Sequence, residues 1–188
     1  MKPLRVLLIS CLAFTIATTP ATTVIPPTFD QLVSDAEMIF EGTVSAMHSE
    51  WAGQGSERHI VTFITFKIED PIKGAPGTET TLRMFGGTVD GQTIEVADSP
   101  RFKLGDRDIL FVEHNGTQFI PLVGIMHGRF HVQTDATGLE IIAKDNGAPL
   151  AQVKKLGQDE SAAVAGKALS KVEFKAAIRQ KLAENAAK

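Results

Sequence analysis

Two runs of alternating residues constrain the fold of this chain more than any other feature. Met38, Phe40, Gly42, Val44 and Ala46 take alternate positions in the run Met38 to Met47. Ile60, Ile64, Phe66 and Ile68 do the same in His59 to Glu69, with Thr62 between them. A period of two puts such residues on one face of a strand, so the runs predict a strand pair from which a β core starts. Shorter runs predict further strands at 80–84, 93–96, 109–112, 118–125, 130–133 and 139–142. Asp90-Gly91 and Asn115-Gly116 suit tight hairpin turns with positive backbone angles. Pro121 places the returning strand 118–125 on an edge or breaks it there. The pair Gly86-Gly87 reads as a bulge or corner, with close approach of a ligand to bare backbone as the alternative.

Helices are predicted at the two ends of this β region. Thr28 and Gln31 form a capping box, and Phe29, Leu32 and Val33 have the spacing of one or two amphipathic turns. Ser170 and Glu173 form a second box, followed by an apolar stripe of Phe174, Ala177, Ile178 and Leu182. Lys175 and Arg179 are placed on the opposite face, so that helix either packs on the β core or lies on a membrane surface. Between the two regions the pattern dissolves. The expected organisation is therefore a signal peptide at 1–21, a β domain at 22–143, a linker at 144–169 and a C-terminal helix at 170–187.

The N-terminus carries the export signal in this division. Lys2 and Arg5 precede an apolar run from Val6 to Ile16, which leads to small residues ending Thr19-Pro20-Ala21. A basic start, a short apolar run and small residues before a break are the parts of a secretory signal peptide. The run falls short of the roughly 20 apolar residues a membrane span needs, so no transmembrane anchor is expected. Export to the periplasm or the medium is the expected localisation. Leu8-Ile9-Ser10-Cys11 superficially matches a lipoprotein box, but too little apolar chain precedes it. Cys11 is the sole cysteine, so cleavage after Ala21 leaves no thiol for a disulfide, a nucleophile or an iron–sulfur site. Loss of Lys2 and Arg5 leaves 17 basic and 22 acidic side chains, a net charge of about −5. That sign disfavours a nucleic-acid partner, whose affinity comes from clustered Lys and Arg.

No Gly-x-Ser-x-Gly elbow, His-Glu-x-x-His helix or phosphate-binding loop is present, so no catalytic, cofactor-binding or metal-ligating residue is assigned. The candidate partner-binding residues flank one polar, glycine-bearing stretch from His48 to Arg58: His48, Glu50, Trp51, Arg58 and His59. Trp51 is the only tryptophan and either caps the β core or is offered to a partner, as tryptophan often is at binding hot spots. His48 and His59 could face each other across a ladder, about 5 Å apart, and with Glu50 or Glu57 hold a metal. Solvated loop ends are the simpler reading. His127, Arg129 and His131 alternate with core residues and read as a polar face. On a strand the two imidazoles stand about 13 Å apart, too far to share one ion.

The run Ala36-Glu37-Met38-Ile39-Phe40-Glu41-Gly42-Thr43-Val44, then Lys73-Gly74, then Phe102-Lys103-Leu104-Gly105-Asp106-Arg107 with Leu110-Phe111-Val112, resembles the order of elements in netrin-like domains and tissue inhibitors of metalloproteinases. It is also similar to exported bacterial proteins of unassigned function. The resemblance covers 36–112 and implies a mainly β fold: a small OB-like barrel with a short N-terminal helix and an amphipathic C-terminal helix. It implies a non-enzymatic exported module that modulates or inhibits an exported hydrolase or metalloprotease. Those inhibitors chelate the target's zinc through an N-terminal cysteine, which this chain, starting at Thr22 after cleavage, does not offer. A metal-dependent or carboxylate hydrolase and an oligosaccharide-binding module are the alternatives.

Overall fold

A computed structural model describes residues 25–97, 99–158 and 167–187. The proposed signal peptide, Cys11 and the residues Thr22 to Val24 lie outside the described residues. The chain runs α1 (Phe29–Asp35), β1 (Met38–Ala52), β2 (His59–Lys73), β3 (Glu79–Phe85), β4 (Gly87–Val89), β5 (Gln92–Ile94), β6 (Arg107–Val112), β7 (Arg129–Thr134), β8 (Glu140–Lys144) and α2 (Lys171–Ala186). Six strands form one antiparallel sheet in the order β3-β2-β1-β6-β7-β8, while β4 and β5 make a separate two-stranded hairpin. The fold is mainly β with two helices, and the sheet is open rather than the closed barrel expected.

The strand pair that opens the β region is longer than its alternation suggests. β1 continues through Trp51 to Ala52, so the first five residues of the polar stretch from His48 are strand, and 53–58 form the connecting loop. Three irregularities in the pairing of β1 with β2, at Ile39/Phe40, Glu41/Gly42 and Val44/Ala46, bend the pair, because each bulge adds local twist. The sheet curls far enough for residues after β6 to reach β3 at its far edge. Arg83 N–H donates to Asn115 Oδ1, Asn115 Nδ2 donates to the Thr81 carbonyl, and Phe85 N–H donates to the Phe119 carbonyl. The expected strand 118–125 is absent for this reason. Segment 113–122 leaves β6, occupies the β3 edge through Asn115 and Phe119, and returns to β6 at the Val112–Leu122 bridge.

Each face of the curled sheet has its own core. Phe40, Val44, Ile64, Phe66, Leu82, Met84, Phe102, Leu110 and Val112 pack inside the curl. Ile39, Ile109, Phe111, Phe130 and Ile142 point the other way, against Phe29, Leu32 and Val33 of α1 and Phe174 and Ile178 of α2. Both capping boxes are formed. Within the stretch expected to be a linker, Leu150 is buried in this second core and Val153, Leu156 and Leu169 pack against it.

Lys175 and Arg179 do not form a free basic face. They flank the apolar stripe of α2 and turn toward the sheet, where Lys175 Nζ lies 2.5 Å from both Glu41 and Asp70, and Arg179 binds Asp70 at 2.7 Å. Lys171 adds contacts to Glu41 at 3.1 Å and to Glu140 at 2.5 Å. Glu41, 2% exposed, also accepts from Arg107, which reaches Glu69 and Glu140 as well. Burial opposes ionisation of Glu41, but hydrogen bonds from Lys175 and Lys171 outweigh it and hold the carboxyl below its ordinary value. Four cations meet four carboxylates, so the network around the buried Glu41 is neutral. Among the described residues no helix is long and apolar enough to cross a membrane.

Phe174 lies at the centre of the second core, within ring-stacking distance of Phe29, Phe111 and Phe130. Phe174→Ala is expected to cost about 3–5 kcal/mol, read as a lowered denaturation midpoint with the slope unchanged. A loss below about 1 kcal/mol would show that α2 is not held by this ring.

Candidate binding face

The inward residues of β1, β2 and β3 leave their alternates on the outer face. Near the α-helices this face is covered; at the far end of the β1–β2 arm it is not. There the cross-strand register sets His48 opposite Phe63, Phe63 opposite Arg83, and Val61 opposite Phe85. The rings stack in pairs. His48 lies flat on Phe63 with centroids 5.0 Å apart, and His59 on Phe85 at 5.2 Å. Phe119 continues the second stack at 4.9 Å from Phe85. Beneath them Val61 is 1% exposed, whereas Phe119 is 67% exposed.

Hydrogen bonds fix this arrangement. His59 Nδ1–H donates to the Glu57 carbonyl at 2.7 Å, and Arg83 Nη2 donates to His59 Nε2 at 3.3 Å. A carbonyl can only accept and Nε2 must offer a lone pair, so the ring is the neutral tautomer protonated on Nδ1. Phe119 is anchored by its own carbonyl on the β3 edge. The result is a preformed aromatic platform with one guanidinium set into it.

The structure divides the residues that the sequence grouped together. His48, Glu50 and His59 share the outer face, with His48 and Glu50 4.0 Å apart. Trp51, paired with Ile60, is on the inner side, and the Arg58 guanidinium sits 4.1 Å over its ring. His48 and His59 do not face each other: His59 pairs with Ala52, four residues from the partner of His48. That offset is about 13 Å of strand, so the two imidazoles cannot share a metal with Glu50 or Glu57. Among the described residues no group of three His, Cys, Asp or Glu is placed to hold a metal ion. Sequence reading missed Phe63, Arg83, Phe85 and Phe119. The available signal was Val61 and Phe63 on the outward parity of β2, since apolar residues on both parities mean that both faces are covered or used.

The expected polar face of His127, Arg129 and His131 is also different in kind. His127 lies in a short 3-10 turn before β7. Arg129 and His131 do alternate with the core residue Phe130, but their side is buried too. Arg129, 1% exposed, lies 3.9 Å over the Phe102 ring and donates to Asp106 at 2.7 Å, Asp108 at 3.0 Å and the Arg101 carbonyl at 2.8 Å. Asp145 lies 3.4 Å from its Nη1. Asp108 is wholly buried, and its Oδ1 has no donor unless His131, 2.8 Å away, carries its proton on Nδ1.

That hydrogen bond from His131 to Asp108 raises the imidazole above its ordinary 6.5, against burial and the repulsion of Arg129. A raised histidine stabilises the fold fully below the unfolded value, and the contribution fades as pH rises through the folded one. Stability is therefore expected to fall across the interval from the ordinary 6.5 up through the raised folded value, and His131→Gln, which can still donate to Asp108, is expected to flatten that slope. Urea midpoints across the interval check it, and an unchanged slope in the variant would place the titration elsewhere. Comparison of the chain with protein-family models, curated proteins and solved structures found no match.

Proposed function

We propose that the chain is an exported, non-enzymatic binding module that docks a protein partner, an exported hydrolase, on the platform of His48, His59, Phe63, Arg83, Phe85 and Phe119. The observation that carries this reading is the exposed, prestacked set of rings with Phe119 at its edge. Interface cores are enriched in aromatic residues and arginine and depleted in other charges. Rings already held in place lose little freedom on binding. Export rests on the basic and apolar pattern from Met1 to Ala21.

The kinship with OB-like, netrin-type domains belongs to the same proposal. OB folds are partly open five-stranded barrels that bind ligands on the face of their second and third strands and on the loop between the first two. Here His59, Phe63, Arg83 and Phe85 of the platform lie on β2 and β3, beside the 53–58 loop, with His48 on β1 and Phe119 on the segment after β6. Inhibition by zinc chelation is not part of the reading, because a chain cleaved after Ala21 would start at Thr22 and offer no N-terminal cysteine to perform it; blocking a partner's surface is. A hydrolase with a metal between His48 and His59 loses its geometry.

The test starts by cross-linking the protein in its native exported fraction, purifying the main captured chain and measuring its affinity directly. Phe119→Ser is expected to weaken binding by about 10- to 100-fold, the range of a hot-spot residue. Trp51→Ala, on the opposite face, is expected to retain it. Equal affinities for Phe119→Ser and the unaltered protein, or capture of glycan instead of protein, would overturn the proposal.

A further inference from the structure

A second site lies on the other side of the same strands. The hairpin β4–β5 belongs to no ladder of the main sheet and lies across β1 and β2 like a flap. It is fastened at its base, where Gly86 N–H donates to the Ile60 carbonyl and Thr62 Oγ1 donates to the Gly86 carbonyl. Asp90 and Gly91, both at positive φ, make its tight turn. Under it is a cavity of about 240 Å³, with Met47, Ile64, Met84 and Phe102 as apolar walls. Thr88, Thr93 and Ile94 of the hairpin form the roof, and Glu95 and Arg101 stand at the rim.

We propose that this cavity is a binding site for a small neutral molecule, a fused aromatic ring or a short alkyl chain with one hydrogen-bonding group. Four features define the class. A dry apolar cavity of about 150 Å³ takes one benzene, so this one has room for a bicyclic ring. Two methionines in the wall adapt to irregular shapes. The rim charges answer each other, Arg101 Nη2 to Glu95 at 3.2 Å, so the site has no net charge to attract an ion. Thr88 and Thr93 share one hydrogen bond at 2.9 Å. Both residues line the cavity at its solvent-exposed edge, where the hydroxyl proton that this bond does not use is available to one polar atom of a ligand.

Indole is the probe and indole-3-acetate its charged counterpart, titrated into the protein with 13C-labelled methionine methyl groups. Indole is expected to shift the Met47 and Met84 signals while leaving Met38 and Met126 in place, with a Kd of about 0.1–1 mM. Indole-3-acetate is expected to bind at least about tenfold more weakly. Thr93→Trp, on the exposed roof, is expected to fill the mouth and abolish the shifts with the fold intact. No selective shift of Met47 and Met84 in the unaltered protein overturns the site. Shifts that survive Thr93→Trp place the binding elsewhere, and equal affinity for the anion overturns the neutral class.

Discussion

The coiling of the β1–β2 pair is the constraint on which the rest of the structure depends. Three pairing irregularities fall within the first nine residues of β1. Gly42 sits among them, where a Cβ would come 2.9 Å from the Lys67 carbonyl oxygen and 3.3 Å from the Phe40 ring. Any larger residue would push the strands apart at the place where they bend most. Without that bend the sheet would stay flat, Phe40 and Phe66 would lose the enclosure that Phe102 and Leu122 supply, and Asn115 could not reach β3.

A curled sheet of this length has too much outer surface for two short helices to cover with apolar side chains alone. Only Phe174 and Ile178 of α2 are fully buried. Ala177 and Leu182 add partly buried apolar contact, and the remainder is ionic, centred on Glu41, 2% exposed and compensated by Lys171, Lys175 and Arg107. Burying ions is costly, and a complete pair is seldom better than well-packed hydrocarbon. What such a network does supply is register. Sliding α2 by one turn would keep an apolar contact but leave Glu41 and Asp70 facing the wrong side chains.

Much of this was legible in the chain itself. Strict alternation located β1 and β2, the two capping boxes located both helices, and Asp90-Gly91 located the small hairpin. Three features were not legible, each because a distant partner decided it. Asn115-Gly116 has hairpin chemistry, yet positive φ falls on His114 and Gly116, and the Asn115 amide is spent on the β3 edge. Arg129 and His131 look solvated in sequence, but Asp106, Asp108 and Asp145 gather around them from other segments. The site was half visible: His48, Glu50 and His59 were on the right face, whereas Phe119 joined them only through the crossing of segment 113–122.

The two surfaces at the end of the β1–β2 arm share their supports. Ser49 and Thr62 hydroxyls lie 2.8 Å apart on the inner side, and the hairpin rests on them so closely that a Cβ on Gly87 would collide with Thr62 Oγ1 and lie 2.6 Å from Ser49 Oγ. One residue away on each strand, His48 and Phe63 stack on the outer side. The end of β3 serves both, with the Phe85 ring in the middle of the platform and the neighbouring Met84 and Gly86 along the cavity. Energetic coupling between two sites requires an element that both bias, and the end of β3, with Met84 facing the cavity and Phe85 in the platform, is the stretch that borders both.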